Sequence, residues 1–415
     1  MIMNRIWKKI YYGVPNYAHY IASLCLIRKM HIKVKNKIAS GKKINVIFIV
    51  QYIPAWNKLE DVYNKMKHDD RYNPYIICVP LKISDNVLDE ENDTYEYFAK
   101  RGYDVINAID NGKKWYDIKL LKPDYVFHSR PYNDYMPKCY SSRNIVKYAL
   151  ICNVLYGASL TVEGQQVTLN RDYFDDVFCY FAFDSSERLF YQKRFCLGCQ
   201  LNIQKCYPYG ATALEQMLRK KKCDKINGFS KTILWTPRWS TSSFMGGSNF
   251  FNYVNVFIKL AKQHKNVLFI FRPHPLMFDN FIKTGEMTNK EVDEFKKYCQ
   301  TEKNIMLDEE KEYVDTFWKS DILVTDGSGI VPEYLMTQRP IVYCHCQNKA
   351  NWAEYAKAII DCSYQVYNQE DLERYIGILL ENNDYMSKER QDCLNQYFKD
   401  VGNNSSLILD VLAKP

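Results

Sequence analysis

From residue 44 onward the sequence repeats one pattern, a short apolar run followed by a stretch of helical spacing. "INVIFIV" (44–50) leads into helical spacing from Lys58 to His68, and "YNPYIICVP" into a helix near Tyr95 to Arg101. "YDVINA", "KPDYVFHS", "YALICNVLYG" and "DDVFCYFAF" come next. Strands alternating with helices predict a parallel sheet joined by crossover helices, an α/β domain. The pattern breaks at 217–231, "MLRKKKCDKINGFSK", which is polar, basic and contains Gly228. It then resumes with "TILWTP", "FNYVNVFIKLAKQH", "NVLFIFRPHP", "NIMLD", "VDTFWKS", "DILVTD", "PEYLMTQ" and "PIVYCH". A chain of 415 residues exceeds the roughly 250–300 that one core serves. Two α/β domains are therefore predicted, 44–225 and 226–415, with the final helical segment "DLERYIGILLENNDYMSKERQDCLNQYF" leaning back across the cleft.

Lys plus Arg number 56 against 48 Asp plus Glu, a formal net charge of +8, which favours anionic partners and says nothing of fold. Nucleic acid is not expected among them, because zinc-finger spacing, RNP-type motifs and a basic helix able to follow a phosphate backbone are all missing. The 14 Cys are scattered through apolar strands, where Cys behaves as a small hydrophobe. With no cleavable secretory signal, this predicts the cytoplasm. Cys196, Cys199 and Cys206, like Cys344, His345 and Cys346, lack the second half of a zinc set at the usual spacing, so no metal is expected.

Residues 1–43 depart from the alternating pattern. Trp7, Tyr11, Tyr12, Tyr17 and Tyr20 are mixed with Lys8, Lys9, Arg28, Lys29, Lys33, Lys35 and Lys37, and "VPNYAHYIASLCLI" is too short and polar to span a bilayer. Two readings are open: a helical arm lying on an anionic membrane surface, or one packed on the protein itself.

Ligands of open α/β sheets bind beyond the carboxyl ends of the strands. In the second half each such end carries a polar cluster: "TPRWS" with Arg238, "RPHP" with Arg272 and His274, "DGSG" with Asp326, Gly327, Ser328 and Gly329, and "HCQ". Arg272 and His274 suit an anionic ligand, since a charge-assisted hydrogen bond to phosphate contributes roughly 1.5–3 kcal/mol. Small residues at 327–329 let a phosphate approach backbone N–H groups ahead of a helix that Pro332 begins. Glu333 in its first turn suits ribose hydroxyls, or compensates the helix dipole. Asp326 shapes the loop or meets the ligand.

"KTILWTPRWS", "LFIFRPHP" and "SDILVTDGSGIVPEYLMTQRPIVYC" resemble the C-terminal half of the CDP-glycerol glycerophosphotransferase family, the teichoic-acid primases and polymerases. "KPDYVFHSRPYNDYMP" and "ICNVLYGASLT" resemble its N-terminal domain, so the likeness covers most of residues 44–385. It implies a GT-B fold, two Rossmann-type domains facing a central cleft, here with an N-terminal helical arm. It also implies transfer of a polyol phosphate from a CDP-linked donor to a hydroxyl of a lipid-linked glycan or polyol-phosphate polymer, with release of CMP. By the same resemblance Arg272 and His274 hold donor phosphates, Ser328, Gly329 and Glu333 hold the nucleotide, and neither cofactor nor obligatory metal is needed. The protein is then expected on the inner face of the cell membrane.

Two departures stand out. The family's presumed base lies in a His-Gly pair, where this chain has Tyr156 and Gly157 on the acceptor side; the family's Asp-Tyr-Ser-Ser loop is here Asp326 to Gly329, with Glu333 where Asp is common. A phenol with pKa near 10 is a poor base at neutral pH, which leaves His128, at the end of "KPDYVF", and Glu163 as substitutes. The hypothesis is displacement at the β-phosphorus, with Arg238, Arg272, His274 and the 327–329 loop neutralising pyrophosphate charge. The competing readings are a GT-B glycosyltransferase using a nucleotide sugar, and an inactive nucleotide- or polymer-binding scaffold in capsule or teichoic-acid assembly.

Overall fold

The computed structural model describes residues 17–84, 87–88, 93–110, 114–155, 157–220, 226–242, 247–346, 351–399 and 401–414. The chain divides into two compact units, the first comprising Met1–Gly157, Gly164–Gln216 and Val401–Pro415, the second Ala158–Glu163 and Met217–Asp400.

The first unit holds a parallel seven-stranded sheet. In chain order its strands are β1 (Ile44–Val50), β2 (Tyr72–Cys78), β3 (Val105–Asn107), β4 (Tyr125–His128), β5 (Leu150–Val154), β6 (Val177–Phe181) and β7 (Lys205–Tyr207). They lie in the spatial order β7-β6-β5-β4-β1-β2-β3. β1 is central and buried along almost its whole length, which is why it is a nearly continuous Ile/Val/Phe run rather than an alternating one. Pro74 is tolerated in β2 because β3 pairs only with Ile76, Ile77 and Cys78, so no outer partner asks Pro74 for an N–H.

The second unit holds a parallel six-stranded sheet of β8 (Lys231–Thr236), β9 (Val267–Phe271), β10 (Ile305–Leu307), β11 (Ile322–Thr325), β12 (Ile341–Cys344) and β13 (Tyr364–Val366), in the order β10-β9-β8-β11-β12-β13. Its core on one face joins Trp235, Phe269 and Phe271 to Phe250, Tyr253 and Phe257 of the amphipathic helix Phe250–Gln263. β7 and β13 have no counterpart among the expected strands: with three residues each, neither is long enough to show a period.

Helix α1 (Tyr17–Ala39) turns Tyr20, Leu24, Ile27, Met30 and Val34 inward. Tyr20 Oη donates to Gln204 Oε1 at 2.7 Å, His31 packs on Phe178, and Lys37 pairs with Asp124. The described part of the arm is thus packed on the protein, while Trp7, Lys8, Lys9, Tyr11 and Tyr12 lie outside the described residues. No helix among the described residues is long and apolar enough to cross a membrane.

The sequence boundary at 225/226 assigns the C-terminal helix to the second domain. The structure instead packs that helix, Asn404–Ala413, on the first unit through Ile408, Leu409 and Leu412. Tyr125 Oη donates to Leu412 O at 3.1 Å, and Glu215 accepts the N–H and the hydroxyl of Ser405, each at 2.8 Å.

Candidate active site

In the second sheet the chain runs from β8 through β9 to β10 on one side, then returns to β11 and continues to β13 on the other. The switch point lies between β8 and β11, and the crevice beyond their carboxyl ends is where a ligand of such a sheet binds. Thr236 and Thr325 close its floor with an Oγ1···Oγ1 hydrogen bond of 2.9 Å. Above them Asp326, 1% exposed, accepts the N–H of Arg238 at 3.0 Å and that of Asn249 at 3.1 Å. Asp326 therefore shapes the loop. Burial pushes its carboxyl up to about 6, against the pull of these N–H donors and the Arg238 charge. Arg238 is held twice, by its backbone on Asp326 and by Nη1 donating to Gly327 O at 2.5 Å, so its guanidinium is fixed across the loop.

His274 is half-buried beside Trp239, with ring centroids 6.2 Å apart. Its Nδ1 accepts the Leu276 N–H at 3.1 Å, which places the proton of the neutral ring on Nε2 as a donor. Burial, reinforced by the Arg238 charge, lowers its pKa to about 4. The ring is thus a neutral donor at pH 7.

Arg272 differs from expectation. Its Nη1 is 2.6 Å from Asp308 Oδ2 and its Nη2 donates to Glu310 O at 2.5 Å. The guanidinium ties the end of β9 to the end of β10, with its charge compensated by a buried carboxylate, so its assignment as a direct phosphate ligand is replaced by a structural one.

Glu333 is buried within the short helix Val331–Leu335 and accepts a hydrogen bond from Tyr313 Oη. Ser328 N–H donates to Asp326 O at 2.5 Å. A Cβ on Gly329 would stand 3.0 Å from the carbonyl oxygen of Ala158. That contact comes from the segment Ala158–Glu163, which belongs to the second unit. Thr161 bridges to Trp352, Ala353 N–H donates to Leu160 O at 2.8 Å, and Glu163 accepts from Asn351 Nδ2 at 3.0 Å. Trp352 in turn borders Gly327. Residues remote in sequence, Glu163 and the 327–329 loop, thus share one wall. Gly329→Ala is expected to destabilise by about 1–3 kcal/mol through overpacking against a backbone atom, read as a lowered melting midpoint. Gly327→Ala, whose methyl would stand 3.4 Å from Arg238 Nη1 at the end of a long side chain, should cost less.

The acceptor-side candidates fare differently. His128, 2% exposed, has both ring nitrogens engaged: Nδ1 accepts from Tyr173 Oη at 2.9 Å and Nε2 donates to Tyr140 O at 2.8 Å. Burial lowers its pKa to about 4. This is a core histidine, and the expectation that it takes a substrate proton is corrected. Gly157 ends the first stretch of the first unit, and Tyr156 lies outside the described residues. Neither cysteine group gathers: Cys196 is exposed and Cys206 buried, while His345 bonds Gln365 and stacks on Tyr367. Among the described residues no group of three His, Cys, Asp or Glu is placed to hold a metal ion.

Sequence reasoning missed Asn249, Tyr313 and Trp352. Asn249 fastens the β8 exit to β12, its Nδ2 donating to Cys344 O at 2.9 Å; its place just before the helix at Phe250 suggests a cap, yet its side chain makes no capping bond. Tyr313 is masked by the acidic run "DEEKE" before it, and Trp352 acquires its place only through pairing with residue 161.

Comparison with known proteins agrees with this fold. No curated protein matches the sequence. Among solved structures, the UDP-GlcNAc 2-epimerase from Neisseria meningitidis bound to UDP-GlcNAc is 14% identical with a TM-score of 0.57, covering 90% of this chain and 100% of that one. A variant of the wall teichoic acid polymerase TagF is 10% identical with a TM-score of 0.58, covering 94% and 97%. The same polymerase soaked with CDPG is 12% identical, TM-score 0.55, covering 97% and 98%. At these identities the likeness is one of fold, two parallel-sheet α/β domains of GT-B type. The model of the CDP-glycerol:poly(glycerophosphate) glycerophosphotransferase family matches residues 214–414, the segment that carries Arg238, His274, the 326–329 loop and Glu333. Residues 214–414, a little under half of the 415-residue chain, thus match the CDP-glycerol glycerophosphotransferase family.

Proposed function

We propose that the chain transfers a polyol phosphate, glycerol phosphate in the first instance, from a CDP-linked donor to a hydroxyl of a lipid-linked glycan or polyol-phosphate polymer, releasing CMP. The observation that carries the donor half is the switch-point cluster, in which Arg238 is bonded to the small 327–329 loop and His274, with its Nε2–H, stands within reach of the Arg238 charge. In that reading they meet the pyrophosphate, and Glu333, held by Tyr313, meets the ribose. Phosphoryl transfer depends mainly on positioning and charge stabilisation, so a weak base suffices. Glu163, exposed on the segment that packs against Gly329, is the carboxylate assigned to accept the hydroxyl proton. The CDP-linked donor, the acceptor and the membrane are the partners; the reading needs no cofactor.

Attachment to the inner membrane face is supported by α1. Tyr17–Ala39 contains no acidic residue, and its outer side exposes Arg28, Lys29, Lys33 and Lys35 beside Tyr17, Ile21 and Ile32. Each cation near an anionic leaflet contributes about 1 kcal/mol.

The test is CMP release by the purified chain with CDP-glycerol, CDP-ribitol or a panel of UDP-sugars, in the presence of a detergent-solubilised lipid-linked acceptor. CMP formation with a CDP-polyol, reduced about 100-fold or more in Glu163→Gln if it supplies general-base catalysis, is the expected result. UDP release would assign a sugar transferase, and nucleotide binding without turnover would assign a scaffold.

A further inference from the structure

Tyr343 stands one residue before the end of β12 and is 2% exposed. Its hydroxyl reaches the 327–329 loop, where a methyl on Gly327 would stand 3.5 Å from Oη. The ring meets His345 edge-on with centroids 5.0 Å apart and Trp352 edge-on at 6.0 Å, whereas Oη has no hydrogen-bond partner among the described residues. An unpaired hydroxyl on a buried side chain is costly, so one at the rim of a ligand crevice calls for a partner that arrives with the ligand.

Two residues on, His345 leaves β12 on the same side of the sheet. Its ring lies flat on that of Tyr367, with centroids 4.3 Å apart and planes 2° from parallel. Gln365 Oε1 accepts from both, from His345 Nε2 at 3.0 Å and from Tyr367 Oη at 3.1 Å. In the neutral ring the proton is therefore on Nε2 and Nδ1 is an acceptor, with no partner among the described residues. The two ring nitrogens point away from each other. Because Gln365 lies on β13, paired with Tyr343, Nδ1 is turned from that edge strand toward the side on which β11 and its loop lie.

The wall from Gly327 to Tyr367 thus offers one hydroxyl, one lone pair and the rings of Trp352 and Tyr367, and none of Tyr343, His345, Trp352, Gln365 and Tyr367 is a carboxylate, lysine or arginine. Such a surface suits a group rich in hydroxyls and C–H bonds better than a phosphate. Its place assigns which group. Glu333 is held from the β10 side by Tyr313, whereas Tyr343 and Trp352 border the loop from the β12 side. A donor with its ribose at Glu333 and its phosphates on the loop turns its remaining part, the polyol, toward β12.

We propose that Tyr343 and His345 recognise the donor's polyol, with Tyr343 Oη and His345 Nδ1 bonding its hydroxyls. This rests on the CDP-polyol reading and deepens it, since that reading alone gives the polyol no protein partner. Gln365 positions the His345 ring and Tyr367 braces it.

The test is calorimetric binding, by the full chain, of CDP-glycerol, of CDP and of the propyl ester of CDP, which lacks both hydroxyls, alongside CMP release. The wild type should bind CDP-glycerol more tightly than either control. Tyr343→Phe, which removes one oxygen, is expected to weaken CDP-glycerol about three- to tenfold, the loss of one neutral hydrogen bond, and to leave both controls and the melting midpoint unchanged. His345→Phe, which keeps a ring on Tyr367, should do the same to binding, and His345→Asn, whose amide oxygen can take the place of Nδ1, should restore part of the loss. Weakened binding in these variants beside a wild type that releases no CMP would sink the transfer reading and leave this subsite standing. Unchanged CDP-glycerol affinity in Tyr343→Phe and His345→Phe would overturn the subsite, as would a wild type that holds the propyl ester as tightly as CDP-glycerol. So would equal losses for CDP and CDP-glycerol, which assign the pair to the nucleotide, or a lowered midpoint in Tyr343→Phe, which assigns the hydroxyl to the fold.

Discussion

His274→Ala is expected to lower kcat/KM for CDP-glycerol by about 100- to 1000-fold, the usual cost of removing one fixed donor from developing phosphoryl charge, measured as CMP release. His274→Asn separates the two jobs of the ring. An Asn oxygen can still accept the Leu276 N–H that Nδ1 now accepts, preserving the turn, but the NH2 of this shorter side chain does not reach the position of the Nε2–H. If Asn restores activity, the residue only shapes the loop and its role as a donor to phosphate is lost. The pH profile adds a second check. With a folded pKa of about 4 against 6.5, His274 binds fewer protons folded than unfolded across that interval. Its contribution to stability is therefore present above about 6.5 and is lost as pH falls toward 4. The free-enzyme kcat/KM profile should show no ionisation of this ring between about pH 6 and 8, whereas a bound pyrophosphate favours the protonated ring and should raise the pKa seen in kcat.

Asp326→Ala is expected to destabilise the second unit by about 2–5 kcal/mol, read as a lower urea midpoint, because it strands the backbone N–H groups of Arg238 and Asn249 in a buried loop. Donor affinity should fall with it, since both the Arg238 backbone and the loop that receives its side chain are anchored there. The pH dependence runs opposite to that of His274. A carboxyl raised from 3.8 to about 6 binds more protons folded than unfolded, so its contribution is present below about 3.8 and lost as pH rises through 6. Asp326→Asn should flatten this limb while keeping part of the anchoring, because one amide oxygen can still accept from both N–H groups. A wild-type midpoint in Asp326→Ala would remove Asp326 as the anchor.

Much of this site was legible from residue order. Arg238, His274 and the 326–329 loop come after apolar runs that become β8, β9 and β11, and strand ends are where such sheets bind ligands. The roles within the rim were not legible. Arg272 and His274 stand two apart in one motif, yet one is spent on Asp308 after β10 and the other keeps its Nε2 donor, because only the pairing of β9 with β10 brings that carboxylate within 2.6 Å. His128 looked as suitable as His274, both at strand ends. The difference is Tyr173 and Tyr140, which fold over His128 from 45 and 12 residues away.

The two parallel sheets were readable along the chain, because strands buried on both faces must be continuously apolar and the helices between them amphipathic. The likeness to the glycerophosphotransferase family was readable too, through the motifs at the strand ends. Folding had to occur before Ala158–Glu163 could join the second unit, the last helix the first, and Gln365 orient His345. The contrast is one of range. Strand and helix preferences are set by neighbours along the chain, whereas protonation, charge compensation and side-chain orientation depend on groups that only folding brings within hydrogen-bonding distance.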